Sequence, residues 1–435
     1  MRILIIGNGA REHIITERLS EDSSVLSIMS KKNPAIAKIS EDYYICDITN
    51  TSEVKAWASG KNIDLAFVSP DPVLAVGMSD ALEELGIPVA SPSKDVADIE
   101  CNKEFARSLM QDHLIPGLAE YRLITNEKEA LSAIKEFNNS VAIKPIGLTG
   151  GKGVKISGDH FTNVNEGMSY VKELLLKDKK LLIEEKLKGE EFTLQAFSDG
   201  NSLVFMPPVQ DHKRAFENDE GENTGGMGSY STGKILPFMN ESDLEKAKII
   251  MKKTIDALKK ERSPFKGVLY GQFMLTKDGP KIIEYNARFG DPEAMNVLSL
   301  LQTSLTDIFL GISEGKLPNA VFSSNSTVVK YLVPNGYPSK PIKDSPVSIN
   351  LPCLSSKGTN MYYASVYEKD NQIFTTSSRA FALISSSKLL KDAEIKVENS
   401  MNCISGPLWH RKDIGTENLI DKRIKHMDKL RGEKK

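Results

Sequence analysis

A carboxylate and an amide side chain stand two positions apart near the end of a segment that reads as a β-strand. The segment runs from Lys281 to Asn286, and its polar pair is Glu284 and Asn286. Because side chains alternate along a strand with a period of two, both should emerge on one face. Carboxylate and amide oxygens are hard ligands that suit Mg2+ when phosphate oxygens complete its octahedron. The pair indicates a divalent metal site, although from spacing alone an ordinary solvated hairpin face is the more probable interpretation.

The strand before this pair offers a third metal ligand, depending on the length of the hairpin loop. A three-residue loop places Gln272 opposite Glu284 on the same face, whereas a two-residue loop places Phe273 there. The candidate metal ligands at this point are Gln272, Glu284 and Asn286, with Gln272 dependent on this register.

The composition is that of an ordinary globular protein with several domains. A chain of 435 residues predicts two to four domains, and 40% hydrophobic and 26% charged residues are typical values. The net charge of −2 gives no global case for nucleic acid or an anionic membrane. No apolar run approaches the length of a membrane span, and we expect a cytoplasmic protein.

The cysteines show no paired or metal-binding spacing. We expect all four to be buried, reduced thiols in a reducing compartment. They are Cys46, Cys101, Cys353 and Cys403.

The amino terminus predicts a doubly wound α/β unit with an anion-binding turn. A buried strand, Arg2 to Ile6, leads through a glycine turn into a helix, so free N–H groups and the helix dipole face the turn. A nicotinamide-binding domain is the obvious alternative. It fails because Glu12 replaces the third glycine of its fingerprint and no acidic residue ends the second strand. Asp71, after a later strand, is equally well read as a ligand or as a turn residue.

The middle of the chain carries a glycine-rich loop between two strands. Four glycines lie within seven residues, 147–153, and such a loop can bring N–H groups close to phosphate oxygens and close as a lid. It is not a Walker motif, because its glycine spacing differs and a strand follows it. Lys103 and Lys144 are candidate counter-charges for the phosphates.

Two further segments are weaker signals when taken alone. The strand 180–187 turns through Gly189 and could offer backbone edges to adenine and a carboxylate to a ribose, although an exposed charged hairpin is the simpler interpretation. The segment 211–234 has little regular pattern and begins with a basic cluster that suits an anionic substrate. His212 within it is read as a hydrogen-bonded structural residue.

Six motifs in this order resemble the ATP-grasp ligases, and specifically the phosphoribosylamine–glycine ligase family of purine biosynthesis. They span nearly the whole chain, and the last three are the most specific. The motifs are Gly7-Asn8-Gly9 with Arg11-Glu12-His13, Lys152-Gly153-Val154, Gln210-Asp211-His212-Lys213-Arg214, Asn223-Thr224-Gly225-Gly226-Met227-Gly228, Arg288-Phe289-Gly290-Asp291-Pro292-Glu293 and Arg411-Lys412-Asp413-Ile414-Gly415.

The resemblance implies that ATP, glycine and 5-phosphoribosylamine become glycinamide ribonucleotide, ADP and phosphate through a glycyl phosphate. It implies catalytic roles for Arg288 and Lys144, and Mg2+ or Mn2+ on the residues named above. The implied ATP-binding residues are Lys103, Lys144, Gly150, Gly151, Lys152, Gly153, Glu184, Glu185, Leu187 and Glu191. The implied substrate-binding residues are Gly9, Arg11, Glu12, Asp71, Asp211, Lys213, Arg214, Asn223, Thr224, Gly225 and Gly226.

The resemblance also implies the architecture. We expect an amino-terminal Rossmann-like domain at 1–100, an ATP-grasp core at 101–321 with a lid at about 118–187, and a small α+β domain at 322–435. We expect a monomer whose partners are its small-molecule substrates. The alternatives are another ATP-grasp ligase, which would not need the motifs at 210–214 and 223–228, and a catalytically silent nucleotide-binding protein, which would not need the intact Glu284 and Asn286 pair.

Overall fold

Short hydrophobic runs at the amino terminus form a parallel sheet, as the sequence predicts. The computed structural model describes residues 1–148 and 153–432. The strand order is β3-β2-β1-β4, and Val89 adds one parallel bridge to Ala66. The elements of this unit are β1 (Arg2–Ile6), α1 (Ala10–Ser20), β2 (Ser24–Met29), α2 (Pro34–Ile39), β3 (Asp42–Ile45), α3 (Thr51–Ala58), β4 (Leu65–Val68), α4 (Asp71–Ala75), α5 (Met78–Glu83) and α6 (Lys94–Cys101).

A second sheet has a hydrophobic core of its own. Its strand order is β5-β8-β6-β7, all antiparallel, and its buried residues, such as Ile134, Val171 and Ile183, form a cluster separate from the main core. This unit follows the linking helix α7 and carries the glycine-rich loop between β6 and β7. The elements are α7 (Lys103–Asp112), β5 (Tyr121–Ile124), α8 (Glu127–Glu136), β6 (Val141–Pro145), β7 (Lys155–Ile156), α9 (Val164–Asp178) and β8 (Leu181–Glu185).

The central sheet is antiparallel and carries the predicted metal ligands. Its order is β10-β9-β15-β16, and α10 packs on it. The predicted irregular segment 211–234 instead contains the end of β11 and the short strands β12, β13 and β14, and α10 follows it. The elements are β9 (Glu190–Asp199), β10 (Leu203–Phe205), β11 (Gln210–Asp211), β12 (Arg214–Phe216), β13 (Glu220–Asn223), β14 (Gly228–Ser231), α10 (Glu241–Glu261), β15 (Lys266–Thr276), β16 (Gly279–Asn286), α11 (Glu293–Leu300) and α12 (Leu305–Glu314), with a 3-10 turn at Glu217–Asp219.

The carboxyl-terminal sheet incorporates two strands from the middle of the chain. Its order is β11-β14-β17-β22-β19, so the strands that flank the predicted substrate segment pair directly with the last part of the chain. The elements are β17 (Ser326–Pro334), β18 (Pro346–Ile349), α13 (Leu351–Ser356), β19 (Thr359–Tyr363), β20 (Val366–Lys369), β21 (Gln372–Thr375), β22 (Phe381–Ser387), α14 (Leu390–Ser400), β23 (Ile404–Ser405), β24 (Leu408–Trp409) and α15 (Glu417–Arg431), with a 3-10 turn at Met401–Cys403.

Two expectations for the carboxyl-terminal part are wrong. Cys353 and Cys403 form a disulfide with their Cα atoms 5.6 Å apart, because α13 packs against the 3-10 turn that contains Cys403. Their separation of 50 residues gives no sign of this pairing in the sequence. The charged segment from Lys422 onward was expected to be a solvated, fraying end. Residues 422–431 belong instead to α15, in which Met427 is buried and Arg423 and Arg431 form ion pairs.

None of the helices in the described ranges combines the length and the apolar character that crossing a bilayer demands. The mixed α/β architecture, with its amino-terminal parallel sheet and antiparallel central sheet, agrees with the fold class expected from the sequence.

Candidate active site

The predicted metal ligands meet on two paired strands of the central sheet. β15 and β16 are joined by a two-residue turn, Lys277 and Asp278, yet Gln272 lies opposite Glu284. A β-bulge at Ile283 restores that pairing by adding one residue to β16. The expected register of Gln272 is confirmed, although the loop is one residue shorter than the sequence argument required.

The bulge also presents a backbone carbonyl to two cations. Ile283 O accepts hydrogen bonds from Arg107 Nη2 at 2.7 Å and from Lys144 Nζ at 3.2 Å. The same two cations pair with Glu184, at 2.8 Å for Arg107 Nε and 2.6 Å for Lys144 Nζ. Burial opposes ionisation of Glu184, but Arg107 and Lys144 lower its pKa to about 2. A charged carboxylate therefore holds Lys144 in place beside β16.

A lysine ammonium lies among the oxygens of the predicted metal site. Lys213 Nζ donates to Gln272 Oε1 at 2.6 Å and lies 3.9 Å from Glu284 Oε1. Gln272 Nε2 donates in turn to Glu191 Oε2 at 2.7 Å. Burial opposes ionisation of Glu284, but Lys213, with Lys103 and Lys144 behind it, lowers the pKa of that carboxyl. These oxygens attract a cation, which is what a divalent metal site requires.

The donor set is amide-rich. No group of three or more His, Cys, Asp and Glu side chains is arranged to hold a metal ion within residues 1–148 and 153–432. A divalent ion at Glu284 would therefore depend on the amide oxygens of Gln272 and Asn286 and on oxygens from a bound phosphate.

A cavity of about 90 Å³ opens beside the polar pair on β16. Glu284 and Asn286 form one wall, and Asp71, Lys103 and Arg288 lie around them. The amino-terminal unit, α7 and the central sheet all contribute to this small volume. The fold thus brings together residues that were assigned from the sequence to the metal, the phosphates and the substrate.

Arg288 is positioned by Glu100, a residue that the sequence analysis did not single out. Arg288 Nη2 lies 3.0 Å from Glu100 Oε1 and donates to Asn286 Oδ1 at 3.1 Å, while Glu100 Oε2 accepts from Ala287 N at 2.7 Å. Burial raises the pKa of Glu100, and Arg288 opposes that rise. Among protein groups in the described ranges, Arg288 Nε has no hydrogen-bond partner. The guanidinium is therefore fixed beside Asn286 at the edge of the cavity.

Lys103 lies at the first turn of α7, against the start of the glycine-rich loop. Its Nζ donates to Gly147 O at 2.9 Å and its backbone N–H donates to Ile146 O at 3.0 Å. Burial lowers the pKa of Lys103, and the nearby Glu284 opposes that effect. At the other end of the loop, Gly153 O accepts from Tyr170 OH at 2.6 Å. The predicted phosphate-binding residues Gly150, Gly151 and Lys152 lie outside the described residues.

The predicted adenine segment has its acidic side chains committed to the protein. Glu184 pairs with cations as described, and Glu185 accepts from Glu120 N at 3.0 Å and from Lys281 Nζ at 2.6 Å. Leu187 follows the end of β8. Recognition of a base here would therefore use the backbone of this segment, as the sequence argument assumed, and not the carboxylates.

The amino-terminal turn is held by one buried carboxylate. Glu12 accepts from Gly9 N at 2.6 Å, from Arg11 Nε at 2.7 Å and from Ser69 Oγ at 2.6 Å. Burial opposes ionisation of Glu12, but Arg11 and these hydrogen bonds lower its pKa. Arg11 Nη1 also donates to Phe289 O at 2.9 Å, which ties the turn to the segment containing Arg288. Glu12 therefore shapes this side of the site.

The predicted substrate segment folds into the short strands β11 to β14, residues 210–231, which we call the substrate hairpin. It faces strands β15 and β16 of the central sheet. Thr224 donates to Lys213 O through both its backbone N–H, at 2.7 Å, and its hydroxyl, at 2.9 Å. Asn223 pairs with Arg214 in the β12–β13 ladder. Burial and the nearby Glu293 raise the pKa of Asp211. These contacts set Lys213 against Gln272 and Glu284.

Arg214 is directed away from the metal pair and toward the unit that carries the glycine-rich loop. Its Nη2 lies 3.2 Å from Asp159 Oδ2, and its Nη1 donates to Gly221 O at 2.8 Å. Asp159 also pairs with Lys186 at 3.2 Å. Arg214 therefore links the substrate hairpin to the unit that carries this loop.

Sequence reasoning missed Arg107, Glu100 and Arg379. Arg107 lies four residues after Lys103 on α7, so helical spacing puts both on one face and could have identified it. Glu100 and Arg379 carry no local signal, because each meets its partners from a distant part of the chain.

Comparison with known proteins covers nearly the whole chain. Three models of phosphoribosylglycinamide synthetase match in order: the N domain at residues 1–100, the ATP-grasp (A) domain at 101–294 and the C domain at 327–417. The phosphoribosylamine–glycine ligase of Methanosarcina barkeri is 50% identical over 439 aligned positions, covering 99% of this chain and 100% of that protein. The ligase of the same name from Methanothermobacter thermautotrophicus is 46% identical, with 99% and 100% coverage.

A solved structure shows the same architecture. The crystal structure of phosphoribosylamine–glycine ligase from Thermotoga maritima superposes with a TM-score of 0.80 at 26% identity, covering 95% of this chain and 100% of that one. The structural similarity therefore extends through the N, ATP-grasp and C domains that the family models match.

Proposed function

This chain belongs to the phosphoribosylglycinamide synthetase family, and from that premise we propose that it joins glycine to 5-phosphoribosylamine at the expense of ATP. The reaction yields glycinamide ribonucleotide, ADP and phosphate and is the second step of de novo purine biosynthesis. The observation that carries the proposal is the 50% identity to a ligase of that name along the full length of both chains.

The chemistry asks the protein mainly for alignment and charge neutralisation. A carboxylate acylates poorly, because its leaving group would be oxide. Transfer of the γ-phosphoryl group of ATP to the glycine carboxylate gives glycyl phosphate, and the amine of phosphoribosylamine then displaces phosphate. Neither step needs a protein nucleophile, so positioning and electrostatic stabilisation supply the rate.

Glu284, Asn286 and Gln272 would hold a Mg2+ or Mn2+ ion with their oxygens. The fit of these residues is supported by the Lys213 ammonium, which already lies 2.6 Å from Gln272 Oε1 and 3.9 Å from Glu284 Oε1. When bound, such an ion offsets the negative charge that gathers on the transferred phosphoryl group. The contribution of the chain is a pair of strands, β15 and β16, that present these oxygens on one face.

The nucleotide would lie between the two antiparallel sheets. Lys103 and Lys144 neutralise its phosphates, and Glu184 with Arg107 keeps Lys144 oriented toward β16. The glycine-rich loop, with Gly150, Gly151, Lys152 and Gly153, covers the phosphates and excludes water, because an exposed acyl phosphate hydrolyses. The backbone from Glu184 to Leu187 takes the base, and Glu191 takes the ribose.

The two acceptor substrates would lie on the other side of the metal strand. Arg288, held by Glu100, neutralises the glycine carboxylate and then the acyl phosphate. The phosphoribosylamine pocket combines the amino-terminal turn with the substrate hairpin. Its residues are Gly9, Arg11, Glu12, Asp71, Asp211, Lys213, Arg214, Asn223, Thr224, Gly225 and Gly226.

We further propose that the protein works in the cytoplasm as a monomer, that its domains divide near residues 100 and 321, and that it has neither a nucleic-acid nor a membrane partner. The near-neutral net charge of −2 supports the last of these.

A coupled assay of ADP release, with each component omitted in turn, tests the proposed reaction. ADP should form when ATP, a divalent metal, glycine and freshly prepared phosphoribosylamine are all present, and its rate should collapse when any is left out. Release that depends on bicarbonate or another amine would contradict the proposal in favour of a different ATP-grasp ligase. Absence of ADP under every condition would point to a catalytically silent protein.

A further inference from the structure

Arg379 reaches from the carboxyl-terminal sheet into the two loops that frame the proposed substrate pocket. It lies between β21 and β22, and its backbone is fixed because Arg379 O accepts from Ser365 N at 2.9 Å. Its side chain is 14% exposed. A buried guanidinium is stable only when its donors are matched by acceptors, so its partners show what it organises.

The partners of Arg379 come from two separate motifs. Nη1 donates to Gly225 O at 2.7 Å and to Gly226 O at 2.9 Å, in the glycine loop of the substrate hairpin. Nη2 pairs with Asp291 Oδ2 at 3.2 Å, three residues after Arg288. One planar group thus fixes the distance between the hairpin and the segment of Arg288.

The surroundings leave Arg379 little freedom. Its guanidinium stacks on the ring of Tyr331 with 4.2 Å to the ring centre, and Tyr331 OH donates to Asp291 Oδ1 at 2.5 Å. Arg379, Tyr331 and Asp291 therefore form a closed set of contacts in which each member touches the other two. Such a set holds a loop more firmly than a single ion pair does.

Steric crowding explains why residues 225 and 226 are both glycine. A Cβ on Gly225 would come within 3.1 Å of Arg379 Nη2, and a Cβ on Gly226, which has φ +104°, would come within 2.6 Å of Asp211 Oδ1. The glycine loop passes between the guanidinium and the Asp211 carboxylate. The loop therefore leaves no room for a side chain beside the guanidinium at residue 225 or beside the Asp211 carboxylate at residue 226.

We propose that Arg379 is a positioning residue for the acceptor substrates: it sets the glycine loop and the segment of Arg288 at the separation that phosphoribosylamine and glycine require. The inference rests on the proposed ligase function and extends it, because it assigns the carboxyl-terminal domain a part in substrate affinity. The ATP side of the site, built from α7, β6 and β16, makes no use of Arg379.

Steady-state kinetics of Arg379→Met test this assignment. The KM for phosphoribosylamine and the KM for glycine should each rise by about 10- to 100-fold, the loss expected when hydrogen bonds to a charged group no longer hold the loops that bind these substrates, while the KM for ATP changes by less than about twofold. Tyr331→Phe, which keeps the ring and removes one hydrogen bond, should show the same split with a smaller rise. Arg379→Lys keeps the positive charge but loses the planar pair of N–H donors, so its KM for phosphoribosylamine should lie between those of the wild type and Arg379→Met.

Arg431→Met is the matched control. Arg431 is 15% exposed and pairs with the buried Asp243 at 2.8 Å, a partner in neither loop, so its loss should lower thermal stability and leave all three KM values unchanged. Equal rises in every KM for Arg379→Met, or the same kinetics for Arg431→Met, would overturn the proposal. If Arg379→Met does not fold, Tyr331→Phe serves as the test: a rise in the KM for phosphoribosylamine without a matching rise in the KM for ATP supports the proposal, and equal rises overturn it. A wild-type enzyme without glycine-dependent ADP release would instead refute the ligase function itself.

Discussion

At the scale of single residues, the site is a set of cations arranged around a few fixed carboxylates. Lys103, Lys144 and Lys213 all lower the pKa of Glu284, and each is held by a different protein oxygen. Their anchoring differs in strength, because Lys144 pairs with a buried carboxylate and Lys103 bonds a carbonyl. This difference separates their contributions to binding and to folding.

Lys144→Met and Lys103→Met should therefore behave differently. Both remove a phosphate counter-charge and should raise the KM for ATP. Lys144→Met also leaves Glu184 with one partner fewer and should lower the free energy of unfolding by about 1–3 kcal/mol, whereas Lys103→Met, which loses one exposed bond to Gly147 O, should cost about 0.5–1.5 kcal/mol at most. Denaturant unfolding alongside kinetics measures both quantities. Equal stability of the two variants would show that the Glu184 pair does not anchor Lys144.

Much of the residue-level site follows from the sequence, and the rest depends on long-range folding. The spacing of Glu284 and Asn286 on one strand predicts their common face, and β16 presents both beside the same cavity. The position of Gln272 could not be derived from loop length, because the bulge at Ile283 has no sequence signal and changes the register by one residue. The role of Glu100 could not be predicted either, because nothing in the sequence of α6 indicates that this residue pairs with Arg288.

At the scale of secondary-structure elements, the substrate hairpin connects three parts of the molecule. β11 and β14 pair into the carboxyl-terminal sheet, Lys213 meets the central sheet, and Arg214 pairs with Asp159 in the unit of the glycine-rich loop. The sequence predicted an irregular loop here, because strands of two to four residues carry too few side chains to show a period. The hairpin is therefore in direct contact with both the central sheet and the unit of the glycine-rich loop.

The Arg214–Asp159 pair gives a test of that connection. Arg214→Ala should raise the KM for phosphoribosylamine far more than the KM for ATP. Asp159→Asn should do the same to a smaller degree, by about two- to fivefold, because a partly exposed ion pair contributes up to about 1 kcal/mol. The matched control is Glu136→Gln, which breaks the exposed pair with Arg122 on the same unit. If Asp159→Asn changes the KM for phosphoribosylamine no more than that control does, the Arg214–Asp159 pair does not connect the unit of the glycine-rich loop to substrate binding.

At the scale of the whole molecule, buried histidines mark where the parts meet. His13 accepts from Tyr363 N at 2.9 Å, which joins α1 to the carboxyl-terminal sheet, and His212 lies between the substrate hairpin and the segment of Arg411. Burial lowers the pKa of His13 to about 4, and burial together with Arg411 lowers that of His212 to about 3. The sequence suggested a structural role for His212. It gave no indication that His13 lies where α1 contacts the carboxyl-terminal sheet.

Nuclear magnetic resonance of the six histidines tests these contacts. His13 and His212 should remain neutral at pH 5, and their ring signals should be assigned by the loss of one signal in His13→Gln and in His212→Asn. Because the unfolded chain binds these protons near pH 6.5 and the folded chain does not, stability should fall as the pH drops from 6.5 toward 4, by about 1.4 kcal/mol per pH unit for each histidine. His13→Gln should flatten that slope. Titration of either ring near pH 6.5 would contradict the burial.

Glu284 and Asn286 are proposed to hold the divalent ion that accompanies ATP. The most direct measurement is an anomalous difference map from a crystal grown with Mn2+ and a non-hydrolysable ATP analogue. We expect a manganese peak within bonding distance of oxygens from both side chains, with Lys213 moved away from Gln272. A peak elsewhere, with the triphosphate distant from β16, would contradict it.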